Sequence, residues 1–90
     1  MRVTVHYLAQ IKRAAGCSFE HVESHDGATL RELLRTLAER HDSPFRSLLL
    51  DDVGEPRRSL LFFVGDQHVE VSRSLNDGDA LLILAPMSGG

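Results

Sequence analysis

The residues best placed to do chemistry in this 90-residue chain are its last two, Gly89 and Gly90. They follow Pro86, which cannot donate a hydrogen bond to a sheet, so the chain is expected to leave its last strand there. Residues 85–90 form the predicted extended tail, with a reach of about 20 Å. Because glycine has no side chain, the pair can pass a narrow channel and present the terminal carboxylate to a reaction centre in another protein.

The predicted functional group is therefore the carboxylate of Gly90. A free carboxylate is a poor electrophile, and activation requires a better leaving group, such as the phosphate of an acyl-adenylate made from ATP by another enzyme. Attack on the adenylate by a sulfur donor gives a thiocarboxylate, whereas attack by an amine gives an amide. An inert terminus, the usual state of the last residues of a domain, is the alternative interpretation.

Composition argues against several classes of protein. The 10 basic and 13 acidic residues give a formal net charge of −3, the wrong sign for a surface that binds nucleic acid. The apolar stretches are too short to span a bilayer, and the first residues alternate apolar with polar side chains, unlike a secretory signal. We therefore expect a cytoplasmic protein that binds neither nucleic acid nor membrane.

Cysteine and histidine residues give no sign of a metal site. Cys17 is the only cysteine, so it forms no internal disulfide and no cysteine-based zinc site, and a reducing compartment suits it. None of the five histidines belongs to an HxxxH or HExxH pair on the predicted helix. The sequence predicts no metal, and we expect no bound cofactor.

The chain length fits a single domain, residues 1–90. A chain this short buries only a little over ~60% of its unfolded surface, so a deep active site made from its own residues is not expected. Chemistry is therefore predicted to take place at the surface or inside a partner protein, and the chain by itself is not expected to be an enzyme.

Hydrophobic periodicity predicts one main helix. Thr29 and Glu32 form a capping box, in which each side chain satisfies a free backbone N–H. Apolar residues then recur with helical spacing as far as Ala38, so an amphipathic helix is predicted to end near His41. The helix-breaking segment around Pro44 follows.

Alternating or short apolar runs, bounded by turn residues, predict strands at about 2–8, 18–24, 60–64, 68–71 and 80–85. The first two are expected to pair as a hairpin around Gly16, and residues 45–50 form an apolar patch of undecided class. One helix with four or five strands indicates an α+β fold with the helix on one face of the sheet.

The other face of this sheet needs a separate explanation. The segments LLFFV and ALLILA are apolar at successive positions, so their side chains occupy both faces. Either residues 42–58 fold across the second face, or that face is a surface for protein docking. Both interpretations remain open at this point.

The order of elements resembles the MoaD/ThiS family of ubiquitin-like sulfur carriers, and so do YLAQIKRAAG, DGATLRELLRTLAER and, above all, NDGDALLILAPMSGG. The resemblance covers essentially the whole chain and implies a β-grasp fold with a four- to five-stranded mixed sheet and one main helix. It also implies that an E1-like enzyme adenylylates Gly90 with ATP. A sulfur donor system then makes the thiocarboxylate, and an acceptor enzyme consumes it.

Within this family, the length and the insertion before the third strand look most like the small subunit of molybdopterin synthase. By that resemblance Leu8 and Leu84 lie on an apolar face that docks the large subunit, and the tail residues enter it, namely Pro86, Met87, Ser88, Gly89 and Gly90. Strand alternation places Leu8 opposite the Val3 side of the sheet, while the face of Leu84 is inferred from the family. The tail departs from the molybdopterin type, which commonly has two prolines before a β-branched residue.

Three other functions stay open. Similar tails occur in carriers that supply sulfur for cysteine, thiamine and other metabolites. A ubiquitin-like modifier would use the same activation chemistry to join Gly90 to target lysines. A β-grasp binding module with an inert tail is the third.

Overall fold

The structure, a computed structural model, describes residues 1–86. Within them the chain forms five strands and three helices, in the order β1 Arg2–Tyr7, α1 Ala9–Ala15, β2 Phe19–Glu23, α2 Leu30–Arg40, α3 Ser43–Leu49, β3 Leu61–Val64, β4 Gln67–His68 and β5 Ala80–Leu84. All five predicted strands are present. β4 is shorter than the predicted 68–71, because the chain turns away after its pairing with β3.

The five strands form one mixed sheet in the order β2-β1-β5-β3-β4. β1 and β5 are parallel, with Val5 opposite Leu81 and Tyr7 opposite Ile83. The other neighbours are antiparallel. This is the ubiquitin-like β-grasp arrangement, so the predicted α+β fold class is confirmed.

The core lies between one face of the sheet and the helices. Val3, Val5 and Tyr7 on β1 and Leu81 and Ile83 on β5 are at most 1% exposed, as period-2 alternation requires. They pack with the apolar side of α2, made up of Leu30, Leu33, Leu34 and Leu37. Each such leucine contributes about 1.5–3 kcal/mol on burial, so this contact is a substantial part of the driving force for folding.

The start of α2 agrees with the predicted capping box on one side only. Thr29 Oγ1 accepts a hydrogen bond from the backbone N–H of Glu32 at 3.3 Å. The Glu32 carboxylate instead contacts His25 Nε2 at 2.7 Å. In a full capping box the Glu32 carboxylate would accept a hydrogen bond from the backbone of Thr29. Here it contacts His25, seven residues before Glu32.

The predicted hairpin between β1 and β2 is wrong in its connection. The two strands are antiparallel as predicted, but α1 joins them instead of a tight turn. This helix buries only Ile11 and ends at Gly16, which has a left-handed φ of 78° and donates its N–H to Lys12 O. A seven-residue helix with one buried side chain leaves no periodic pattern to detect.

Residues 45–50, for which the sequence predicts no definite class, form most of α3 and the residue that follows it. Asp42 is its N-cap and Pro44 lies in its first turn, where the missing N–H of proline costs nothing. Phe45 and Leu49, four residues apart, point into the core. This places α3 on the same side of the sheet as α2.

Of the two explanations for the second sheet face, cover by residues 42–58 is therefore wrong, and a docking role stays a prediction. α3 packs on the helix side, and Glu55 from the following loop pairs with Arg31 and Arg35 of α2. On the opposite face, Leu61 and Phe19 are 37% and 50% exposed. No helix in the described residues is long and apolar enough to cross a membrane.

Candidate functional site

The sheet face opposite the helices carries apolar side chains at its centre. We call it the open face and define it by the outward-pointing residues of the strands and by Leu8, namely Arg2, Thr4, His6, Leu8, Phe19, His21, Glu23, Leu61, Phe63, His68, Ala80, Leu82 and Leu84. Across the sheet the register aligns Phe19, His6, Leu82, Phe63 and His68 in one row. None of the three helices in residues 1–86 packs over this row.

Leu8 and Leu84 come together at the end of the open face. They directly follow the paired residues Tyr7 and Ile83, and Leu8 keeps an extended backbone with φ −130° and ψ 155°. Leu8 is 50% exposed, whereas Leu84 is half-buried opposite Leu61 on β3. Leu8 and Leu84 therefore lie on the same face of the sheet, and their role in docking stays a prediction.

Leu61, Phe63 and Leu82 were missed as site residues. A signal for them was present, because LLFFV and ALLILA place apolar residues at both parities of a strand. What the pattern lacks is the register, which pairs Leu61 with Leu84 and Phe63 with Leu82. Only this long-range pairing shows that the apolar residues of the two strands form one patch.

Histidine rings border the apolar part of the open face. Phe19 lies between His6 and His21, with ring centroids 6.0 and 5.7 Å apart. His21 Nδ1 lies 3.0 Å from Thr4 Oγ1. On the other side His68 lies 5.5 Å from Phe63. An apolar centre with a polar border is the usual anatomy of a protein–protein interface.

Ala9, directly after Leu8, has a strained backbone. Its φ is +51°, the only positive value at a non-glycine position in residues 1–86. Left-handed geometry costs an alanine roughly 1–2 kcal/mol. The strained residue turns the chain abruptly from the extended Leu8 into α1, so Leu8 stays at the end of the open face.

The tail begins where β5 ends. Ala85 is half-buried and packs on the core, and Pro86 is exposed. Since β5 is antiparallel to β3, with Leu84 opposite Leu61, the chain leaves the sheet beside residues 58–60. The predicted site residues Met87, Ser88, Gly89 and Gly90 lie outside the described residues.

An ion network lies on the helix side of the sheet, at its β2 edge. Glu20 accepts hydrogen bonds from Tyr7 Oη at 2.6 Å and from Arg40 at 3.0 Å, and it lies 2.6 Å from His41 Nε2. Burial alone raises the pKa of the Glu20 carboxyl, but the bonds from Tyr7, His41 and Arg40 outweigh it and hold that pKa below its ordinary value. Burial, followed by the bond to Glu20, raises the pKa of Tyr7.

Cys17 is a poor candidate for sulfur chemistry of its own. It shares a shallow groove with Lys12 and Arg13, two cations that would favour a thiolate. Burial and the nearby charge of Glu20 nevertheless raise the pKa of its thiol. In the described part of the chain, no three His, Cys, Asp or Glu side chains are grouped so that they could hold a metal ion.

The family assignment follows from a match along nearly the whole chain. The model of the ThiS family matches residues 5–90. The chain belongs to the ThiS family. It is thus one of the ubiquitin-like sulfur carriers, as its resemblance to the MoaD/ThiS proteins predicted.

Three similar proteins show the range of this family. The ThiS-family chain is 29% identical to the molybdopterin synthase sulfur carrier subunit of Chlamydomonas reinhardtii, over 100% of both chains. It is 22% identical to SAMP1 of Haloferax volcanii, with a TM-score of 0.90 and 100% coverage of each. With the Amycolatopsis orientalis BexX/CysO complex it shares 26% identity and a TM-score of 0.65, covering 98% of this chain and 99% of the other.

Proposed function

We propose that this protein carries sulfur as a thiocarboxylate on Gly90. The observation that carries the proposal is the extent of the family match, which runs through the last residue and so includes the diglycine. The fold supports it, because β5 ends at Leu84 and the chain continues past the sheet through Ala85 and Pro86. The carboxylate is the reacting group, and the folded domain presents it.

The proposed chemistry takes place in partner enzymes. In an E1-like enzyme, a carboxylate oxygen of Gly90 attacks the α-phosphorus of ATP, and pyrophosphate leaves. Hydrosulfide, or an equivalent from a sulfur donor system, then attacks the acyl carbon. The C–S bond forms, the C–O bond to phosphate breaks, and AMP leaves. In the acceptor enzyme, the thiocarboxylate sulfur forms a bond to an electrophilic carbon of the substrate and displaces a leaving group from it. Water then hydrolyses the acyl–sulfur bond, which leaves the sulfur on the substrate and returns Gly90 as a carboxylate.

The open face and the tail have different roles in the proposed binding to a partner. Leu8 and Leu84, together with Leu61, would dock an apolar patch of the partner. The tail, with Pro86, Met87 and Ser88 before the glycines, would then enter the partner's channel. Docking on the sheet would hold the start of the tail at a fixed distance from the reaction centre. The tail would then sample fewer conformations before its carboxylate reaches that centre.

The acceptor we favour is the large subunit of molybdopterin synthase. The supporting observation is the Chlamydomonas sulfur carrier subunit, which aligns with this chain from end to end. Carriers for cysteine, thiamine or other metabolites are the second candidate, favoured by the fold shared with the BexX/CysO complex. A protein modifier is the third, since SAMP1 is in full small archaeal modifier protein 1.

The carrier role is tested by the intact mass of the protein purified from its native host, or incubated with ATP, sulfide and the host's E1-like enzymes. Replacement of oxygen by sulfur adds about 16 Da. We expect this increase on the C-terminal peptide, with methionine oxidation excluded by fragmentation and exact mass. A terminus that stays unmodified with every E1-like enzyme would overturn the proposal.

The acceptor is tested separately with the charged protein. The thiocarboxylated form is incubated with the large subunit of molybdopterin synthase and a pterin precursor, and with a cysteine-forming acceptor enzyme in parallel. We expect sulfur to appear in the pterin product. Transfer only to the cysteine precursor would instead support the second candidate, a carrier for cysteine synthesis. High-mass adducts on immunoblots of host extract would support the third candidate, a protein modifier.

A further inference from the structure

A second surface lies on the helix side of the sheet, between residues 55–60 and 68–71. It is an open groove of about 540 Å³. We call it the arginine groove, because Arg31, Arg57 and Arg58 line it. Its floor consists of three apolar side chains that are 4–6% exposed, namely Leu60, Phe62 and Val69. The groove therefore combines an apolar base with cationic walls.

The charges of the arginine groove are only partly balanced within the fold. The Glu55 carboxylate pairs with Arg31 and also lies 3.6 Å from Arg35. Arg57 donates its Nε–H to the backbone oxygen of Ser47 at 2.6 Å. Within residues 1–86, neither Arg57 nor Arg58 has a carboxylate within 4.0 Å.

The arginines of this groove are positively charged, whereas the whole chain has a formal net charge of −3. His68 and Glu70 also line the groove. Glu70 is exposed and forms no ion pair in the described part of the chain. Two guanidinium groups thus remain for an external anion, and a guanidinium binds a carboxylate through two parallel hydrogen bonds.

The arginine groove is next to the start of the tail. Leu84 lies opposite Leu61 in the antiparallel register, so Ala85 follows beside Leu60 in the groove floor. Arg58 precedes Leu60 by two residues, at the point where the chain leaves the sheet. A protein that takes the tail therefore passes close to this groove.

We propose that the arginine groove binds an acidic segment of the partner that takes the tail, with an apolar side chain on Leu60, Phe62 and Val69 and carboxylates on Arg57 and Arg58. The inference rests on the proposed function for the identity of this partner. An inorganic anion would leave the apolar floor unused. A nucleic acid would meet a chain of net negative charge, with too few cations to neutralise its phosphates.

The test uses the isotope-labelled full chain and NMR titration with two synthetic peptides. One has the sequence Gly-Asp-Leu-Glu-Phe-Asp-Gly, and the other replaces each acid by its amide. We expect the acidic peptide to shift the amide signals of Leu60 and Val69 and to bind about fivefold more tightly than the amide peptide, with a difference that shrinks in high salt.

Charge reversal supplies the matched comparison. Arg58→Glu should weaken binding of the acidic peptide about fivefold or more and leave the amide peptide unaffected. Arg13→Glu makes the same change in net charge on α1, outside the groove, and should bind like the wild type. Equal binding of the two peptides, or equal binding by Arg58→Glu and the wild type, would overturn the proposal.

Other occupants are recognised in the same experiment. Inorganic pyrophosphate that shifts the groove signals while the acidic peptide does not would assign the groove to phosphate and overturn the proposal. Groove signals that move with protein concentration alone would assign it to a second copy of the chain, with the same consequence. If the peptide binds but Gly90 is never thiocarboxylated, the sulfur carrier fails and the acidic-segment site stands.

Discussion

The hydroxyl of Tyr7 donates a 2.6 Å hydrogen bond to Glu20 across two antiparallel strands. Glu20 faces the helices, on the same side of β2 as the buried Val22, and its side chain is 17% exposed. Arg40 and His41, from the end of α2 and the residue after it, reach the same carboxylate. One acidic side chain therefore joins the edge of the sheet to the helical layer.

We expect Glu20→Gln to destabilise the fold by about 2 kcal/mol, because hydrogen bonds to a charged, half-buried group are lost. Urea unfolding followed by circular dichroism measures the change. Glu23→Gln on the same strand is the control, since its contact with Arg2 is exposed, and it should cost less than about 0.5 kcal/mol. Similar effects of the two variants would contradict a stabilising role for the network.

The network also predicts how stability changes in acid. The pKa of Glu20 is lowered in the folded state, so its contribution is fully present above the unfolded glutamate pKa of about 4.3 and is lost as the pH falls through the lower folded value. Free energies of unfolding from pH 7 to pH 2 should fall less steeply for Glu20→Gln than for the wild type. Parallel curves would show that another group dominates acid unfolding.

Ala9→Gly should stabilise the protein by about 0.5–1 kcal/mol, because glycine accepts a φ of +51° without strain. The gain is net of the greater entropy of glycine in the unfolded chain. Ala14→Gly is a matched control in the right-handed part of the same helix, where it should cost about 0.5–1 kcal/mol. Thermal unfolding of both variants distinguishes strain from general tolerance of glycine in α1.

Leu84→Asp should weaken binding to the E1-like enzyme or the acceptor by about 2 kcal/mol or more, if Leu84 lies at the centre of the interface. Leu8→Asp tests the same end of the open face at a more exposed position. Val53→Asp is the control, since Val53 is 82% exposed on the helix side of the molecule. Calorimetric titration gives the affinities. Unchanged affinity in both leucine variants would show that the docking surface does not include this end of the open face.

Gly90→Ala should slow adenylylation while leaving thermal unfolding unchanged, because a methyl group obstructs a narrow channel while the core side chains in residues 1–86 stay the same. Extension of the chain beyond Gly90 should abolish activation, since no free glycine carboxylate remains. Pyrophosphate release by the E1-like enzyme measures both. Activation of the alanine variant at the wild-type rate would count against a channel that fits glycine alone.

The sequence predicted the elements whose side chains repeat with a clear period. β1 alternates Val3, Val5 and Tyr7, and α2 repeats leucine with helical spacing, so both were found. α1 has only one buried residue and was missed. The class of residues 45–50 could not be predicted, because Pro44 is typical of the end of one helix but also fits the first turn of the next, α3.

The candidate sites depend on contacts between distant parts of the chain. Strand alternation could place Leu8 on its own, but the patch it forms with Leu61 and Leu84 depends on the pairing of β5 with β1 and β3. The arginine groove likewise joins a loop at residues 55–60 to a segment at 68–71. Single-sequence patterns carry no information on such pairings, since they depend on tertiary packing.

The central position of β5 has a consequence for how the protein matures. β5 hydrogen-bonds to both β1 and β3, and without it the sheet separates into two pairs of strands. It is synthesised after the other four, so the two pairs cannot join while it is still being made on the ribosome. The segment that leads into the tail is thus the one that completes the sheet. An activating enzyme that recognises the finished sheet would not adenylylate incompletely folded chains. The strand order would then restrict activation to fully folded protein.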